Sequence, residues 1–183
     1  SGVECEYFLI SPDGNSIADP RDTQSKPCYD QSALMRRYDL IREICDCMIE
    51  MGWGPYQNDH EDANGQFEMN WDYSDCLETA DRHTFFKYMV KTIAEKHGLR
   101  ATFMPKPFKH LTGNGCHLHV SCWDKSTNCL FSDSNEMEQL SDFGKRFLSG
   151  VIKHAHSFVA ITNPTVNSYR RINSSTTNSG STW

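Results

Sequence analysis

Between residues 113 and 123 the chain reads Gly-Asn-Gly-Cys-His-Leu-His-Val-Ser-Cys-Trp. The alternation predicts a strand after a glycine-rich turn. Cys116, Leu118, Val120 and Cys122 share one face, and His117, His119 and Ser121 share the other. Two imidazoles and a hydroxyl on one strand face can form a wall of a polar site. Two further segments are built the same way. In Val3–Phe8, Glu4 and Glu6 project together, and in Gly65–Trp71 the polar set Gln66, Glu68 and Asn70 opposes Phe67, Met69 and Trp71. Side chains two apart on a strand lie roughly 6.5–7 Å apart. Two unpaired carboxylates at that separation repel by about 2–3 kcal/mol at an effective dielectric of roughly 20. One Glu-x-Glu strand alone is most often a solvated face. Three such strands, each flanked by core-type residues, point to a cation among them. Oxygen donors with an occasional imidazole suit magnesium or manganese better than a structural zinc.

The elements that must position these residues follow from periodicity and turn signals. After the first strand, a polar loop from Ser11 to Tyr29 is long enough to serve as a lid or surface excursion. Asp30 or Ser32 can cap one helix with apolar positions at Leu34, Tyr38, Ile41, Ile44, Cys45, Met48 and Ile49, stopped by Gly52. A second helix runs from about Glu78 to His97 and buries Phe85, Phe86, Met89, Val90, Ile93 and Ala94. Arg100–Met104 reads as a strand broken by Pro105 and Pro107. A third helix carries Leu140, Phe143, Phe147, Val151 and Ile152, its apolar stripe read as packing. The sum is an α+β fold, an antiparallel-rich curved sheet with packed helices. The Ser/Thr/Asn-rich stretch from Asn173 to Thr182 reads as an ordered loop cut short. His83, His97, His154 and His156 fall on helices outside any recognisable motif and receive no role.

The 183 residues carry a net charge of −6 with scattered Lys and Arg, which argues against a nucleic-acid surface. No apolar window is long enough for a membrane span. None of the eight cysteines forms a Cys-x-x-Cys pair, and several fall on apolar faces, as expected for reduced thiols in a cytoplasmic protein.

Five ordered segments carry a family resemblance: Glu4-Cys5-Glu6-Tyr7-Phe8, His60-Glu61-Asp62-Ala63-Asn64-Gly65-Gln66-Phe67-Glu68, the Lys96–Pro107 stretch, His117-x-His119-x-Ser121, and Thr162-Asn163-Pro164-Thr165-Val166-Asn167-Ser168-Tyr169-Arg170-Arg171. In this order they resemble the catalytic domain of glutamine synthetases. The wording around Glu61 is similar to the type III branch, which includes γ-glutamylmethylamide synthetases.

The resemblance implies ATP-dependent joining of glutamate and ammonia through γ-glutamyl phosphate, with two or more Mg2+ or Mn2+ ions per site. It implies that Glu6, Glu61 and Glu68 hold one metal and that Glu4 and His117 belong to the other. His119, Ser121 and Tyr73 would contact nucleotide. Gly113 would let the backbone approach the amino acid, and Arg171 would grip its carboxylate as the catalytic and substrate-binding arginine. The seven-residue step from Glu61 to Glu68 is one shorter than in the most familiar bacterial branch, which leaves Asp62 as an alternative to Glu61. Thr112 stands where many relatives carry asparagine, and Arg170 replaces the more usual lysine. Residues 1–183 are expected to be part of a catalytic domain lacking an N-terminal β-grasp-like domain and a C-terminal portion, and to be inactive alone. The whole protein is expected to be a cytoplasmic homo-oligomeric ring with shared active sites. Two other readings are a γ-glutamylamide synthetase using methylamine or another amine, and a non-catalytic relative serving assembly or interaction.

Overall fold

A computed structural model describes residues 1–25, 27–131 and 140–172. It divides into two units, one of residues 1–118 with the segment from Val166, the other of residues 119–165. The first unit is built on an antiparallel-rich sheet. β1 (Gly2–Ile10) is its central strand, β2 (Pro55–His60) and β3 (Gln66–Trp71) lie to one side in the order β2-β3-β1, and β4 (Arg100–Thr102) follows β1. β5 (Cys116–His119) also pairs with β1. Because β1 is flanked on both edges, a period-two sequence gives it two distinct faces.

One face is the core. Val3, Cys5, Tyr7 and Leu9 of β1 join Phe67, Met69 and Trp71 of β3 against two helices, α2 (Tyr38–Glu50) and α3 (Cys76–Lys96). These helices contribute Leu40, Ile41, Ile44 and Met48, and Phe86, Met89, Val90 and Ile93. Full burial of each such large side chain contributes about 1.5–3 kcal/mol, so this layer fixes the sheet and leaves its other face to polar groups. Asp75 caps α3 by accepting from Glu78 N at 2.9 Å.

The structure departs from the expected elements in three places. The first helix is two: α1 (Gln31–Met35) stops before Arg37, whose φ of −115° and ψ of 14° break the turn. Arg36 pairs with Asp19, and Arg37 Nη2 donates to Ala18 O at 2.7 Å, so both arginines are pulled back onto the preceding loop. The strand expected to reach Cys122 ends at His119. All four β5 residues are exposed, with Leu118 63% exposed, so the presumed apolar face covers no core.

The third difference lies in the second unit, which holds a hairpin of β6 (Trp123–Asp124) and β7 (Thr127–Asn128) and the helix α4 (Asp142–Thr162). Phe143, Phe147, Val151 and Ile152 of α4 are exposed, and Gly144 is its one buried residue. A hairpin with two residues per strand offers too little surface to cover a 21-residue helix. The chain closes with α5 (Val166–Ile172), part of the first unit. The Asn173–Thr182 stretch lies outside the described residues. Among the described residues no helix is long and apolar enough to cross a membrane.

Candidate active site

The polar face of the sheet gathers carboxylates by register. Glu6 on β1 is the cross-strand partner of Glu68 on β3, and Glu68 is in turn the partner of Asp59 on β2. Cross-strand partners share a face and stand about 4.5–5.5 Å apart at Cβ, so the three acids form one row. Glu61, just beyond β2, joins the row's end. Carboxylate oxygens of Asp59, Glu61 and Glu68 all lie within 4.8 Å of one another.

Burial and mutual repulsion outweigh the few donors and set the electrostatics. Glu61 is pushed up to about 8, first by burial and then by the charges of Glu6, Glu68, Asp62 and Asp59. Glu68 is pushed up to about 7 by burial and the neighbouring Glu6 and Glu4, against a hydrogen bond from Asn70 Nδ2 at 3.2 Å. Glu6 is also raised by burial, with Gly115 N, His117 and Arg171 opposing. These groups repel and are under-donated, and all are hard oxygen donors. That set fits magnesium or manganese.

Glu6 is directed toward β5. Its Oε2 accepts from Gln66 Nε2 at 2.9 Å and from Gly115 N at 2.8 Å. Gln66 is fully buried and also donates to Gly113 O and Asn114 Oδ1, so one amide holds Glu6 and the glycine loop together. Beyond Glu6, Glu4 Oε2 and His117 Nδ1 meet at 3.1 Å. The family resemblance groups Glu6 with Glu61 and Glu68. The structure keeps Glu6 in their row but places Asp59 with them in the tightest cluster.

Two glycines bring α5 to this row. A Cβ on Gly113 would meet Pro105 O at 2.4 Å and Arg171 Cγ at 2.9 Å, and a Cβ on Gly115 would meet Glu6 Oε1 at 2.7 Å and Arg171 Nη2 at 3.3 Å. At Gly113 a backbone oxygen stands in the way of any side chain, and at Gly115 a side chain would displace the Glu6 carboxylate. The Arg171 guanidinium therefore reaches the Glu6 end of the site. Asn167 anchors α5 by accepting from Lys106 N at 2.6 Å and donating to Lys106 O at 3.0 Å.

The loop carrying Glu61 is held from beneath by Asp22. This buried carboxylate accepts from Gly65 N at 2.6 Å, His60 Nε2 at 2.7 Å and Asn64 Nδ2 at 2.9 Å. Tyr73 lies just past β3 and is 69% exposed. His119 and Ser121 belong to the second unit, where Ser121 Oγ accepts from Trp123 Nε1 at 2.8 Å. Asp62 contributes charge beside Glu61 and stays outside the tight cluster. Asp59 is the residue that sequence reading missed. Its signal is the Asp59-His60-Glu61 alternation, hidden in a β2 sequence with no apolar face.

The sequence model of the glutamine synthetase catalytic domain matches residues 1–182. The chain belongs to the glutamine synthetase family. A glutamine synthetase of Rhizobium meliloti is 66% identical over 184 residues, covering 100% of this chain and 42% of the relative. A glutamate–methylamine ligase of Methyloversatilis universalis is 41% identical over 187 residues, covering 100% of this chain and 42% of that one. A solved structure described as apo GmaS without ligand matches with a TM-score of 0.90 and 66% identity, over 94% of this chain and 41% of that chain. The chain thus spans about two-fifths of the glutamine synthetase family members it resembles. The family is one of ligases, and its mixed helix and antiparallel-sheet architecture is the one observed here.

Proposed function

We propose that this chain carries the metal and amino-acid side of the active site of a longer, ATP-dependent ligase that makes glutamine from glutamate and ammonia. The observation that carries the reading is the Glu6–Glu68–Asp59 row with Glu61 at one end and Arg171 at the other. Asp59, Glu61 and Glu68, with Glu6 beside them, would hold one Mg2+ or Mn2+, and Glu4 with His117 a second. When bound, such ions neutralise charge developing on a transferring phosphoryl group.

The residues divide the remaining work. Arg171 offers a planar fork to the carboxylate of glutamate. The absence of side chains at Gly113 and Gly115 lets Arg171 and Glu6 pack against that backbone, and Gly113 is proposed to face the amino acid on the strength of the motif resemblance. The γ-carboxylate so placed attacks the γ-phosphorus of ATP, breaking the bond to ADP and forming γ-glutamyl phosphate. Ammonia then adds to the acyl carbon, loses a proton and expels phosphate. Gln66 and Asn70 keep the Glu6 and Glu68 carboxylates oriented through both steps. His119, Ser121 and Tyr73 are proposed nucleotide contacts on the strength of the motif resemblance. The whole enzyme is proposed to be a cytoplasmic homo-oligomeric ring, with the rest of its site supplied by chain outside these residues.

A second acceptor has specific support: one relative is named a glutamate–methylamine ligase, and GmaS is as similar to this chain as the Rhizobium meliloti enzyme. The deciding experiment assays the full-length enzyme for ATP- and glutamate-dependent phosphate release with ammonia or methylamine. A kcat/KM at least tenfold higher for ammonia supports glutamine synthesis. A preference for methylamine of that size overturns it in favour of γ-glutamylmethylamide. No glutamate-dependent ATP cleavage with either amine sinks the ligase reading altogether.

A further inference from the structure

The first unit brings a second donor cluster together, on the opposite face of β1. Cys5 Sγ lies 3.2 Å from His83 Nε2, and Cys116 Sγ lies 3.8 Å from the same nitrogen. All three donor atoms are within 4.8 Å of one another. Ordinary zinc bond lengths require donor separations of about 3.6 Å between nitrogen and sulfur and about 3.8 Å between sulfurs in a tetrahedral site. The observed spacings bracket the first of these values. The three donors come from β1, α3 and β5, elements far apart in sequence, and no disulfide consumes the thiols.

Strand alternation explains why the cluster exists. On β1, Glu4 and Glu6 point to the carboxylate face while the intervening Cys5 points to the helix side. On β5, His117 meets Glu4 while the preceding Cys116 turns to Cys5 and His83. Each strand therefore sends oxygen or imidazole donors to one side and a thiol to the other. Hard cations prefer the first set, and softer ones prefer the second. Cys5 is buried and Cys116 exposed, so the pocket has one anchored donor and one reached from solvent.

We propose that Cys5, His83 and Cys116 form a binding site for a thiophilic divalent cation of the zinc class, with a fourth position open to water or an added ligand. Three protein donors leave the coordination sphere one short of four, as in zinc sites that exchange a ligand. A cation here ties β1 to β5 directly behind the Glu4–His117 contact. The site stands apart from the ligase reading and does not depend on which amine is used.

The test titrates the reduced full-length protein with Co2+ while saturating Mg2+ fills the carboxylate face. The expected result is one equivalent of bound cobalt with a thiolate-to-cobalt charge-transfer band and tetrahedral d–d absorption, displaced by Zn2+. Cys116→Ser and His83→Gln each remove the band and weaken Zn2+ by more than about 100-fold, beyond the loss from an outer-sphere change. Cys76→Ser, on the exposed first turn of α3, keeps both. Thermal melting shows that each variant is folded, and either of the two ligand variants suffices if the other is not. Absence of the band in the wild-type protein overturns the proposal, and so does a band that persists unchanged in a folded Cys116→Ser or His83→Gln variant.

Discussion

Two buried acidic regions lie within a few residues of each other and are treated in opposite ways. Asp22 is withdrawn from solvent, which alone would raise its pKa, yet His60, Asn64 and Gly65 donate to it and bring it below the usual carboxylate range. Glu61 and Glu68 are also withdrawn, but their neighbours are other carboxylates and their pKa values rise. Asp22 is a finished hydrogen-bonding centre that holds a loop. Among the described residues the charges that act most on Glu61 are other carboxylates, and a cation would complete that cluster. The balance of donors against like charges, and not burial alone, separates a structural acid from a ligand.

The comparison can be broken most directly at Glu61. Glu61→Gln keeps the shape and removes a charge, so ligase activity of the full-length enzyme should fall by about 100-fold or more. The melting temperature of the metal-free protein should hold or rise, because a repulsive group has gone. A clear loss of metal-free stability would place Glu61 with Asp22 as a structural acid. Asp22→Ala should do the reverse. It strands three donors and should cost about 3 kcal/mol or more, read by chemical denaturation, with activity lost in proportion to misplacement of the Glu61 loop.

Arg171→Lys tests the other end of the row. Losing the planar fork should raise KM for glutamate about tenfold while KM for ATP changes little, measured by steady-state kinetics. A shift confined to ATP would remove Arg171 from the amino-acid pocket.

The smallest effect is on pH-dependent stability, and its sign differs between the two regions. Glu61 and Glu68 have folded pKa values above their unfolded values. Their contribution is therefore full below about 4.5 and is lost as pH rises through about 7 and 8. Asp22 has a depressed folded pKa, so its contribution is present above the unfolded value and is lost as pH falls through the folded one. Melting of the metal-free protein should thus drop by roughly a few degrees between pH 5 and 8. Mg2+ should restore more of it at the upper end, and a flat profile would contradict the raised values.

Much of this arrangement is legible in the sequence. Period-two alternation assigned Glu4, Glu6 and Glu68 to polar faces, because opposite faces of a strand meet different layers. The helices packed on the sheet showed in their apolar spacing, although Tyr38, Ile49 and Phe85 of that pattern stay exposed, and the family motifs marked Arg171 and His117. Asp59 did not show, since β2 is polar on both sides and only its register with Glu68 reveals the row. His83 carries no local signal, because its sulfur partners lie 78 and 33 residues away, a distance no local pattern spans. The break before Arg37 depends on tertiary contacts with Ala18 and Asp19 that override local helix preference.

The central claim is that the acidic row is a cation site and not an incidental polar surface. Calorimetric titration of the full-length protein with Mn2+ at pH 6, 7 and 8 tests it most directly. The expected binding tightens with pH, releases protons at pH 6 and 7, and is lost or severely weakened in Glu61→Gln and Glu68→Gln. An affinity independent of pH and unchanged in both variants would contradict it.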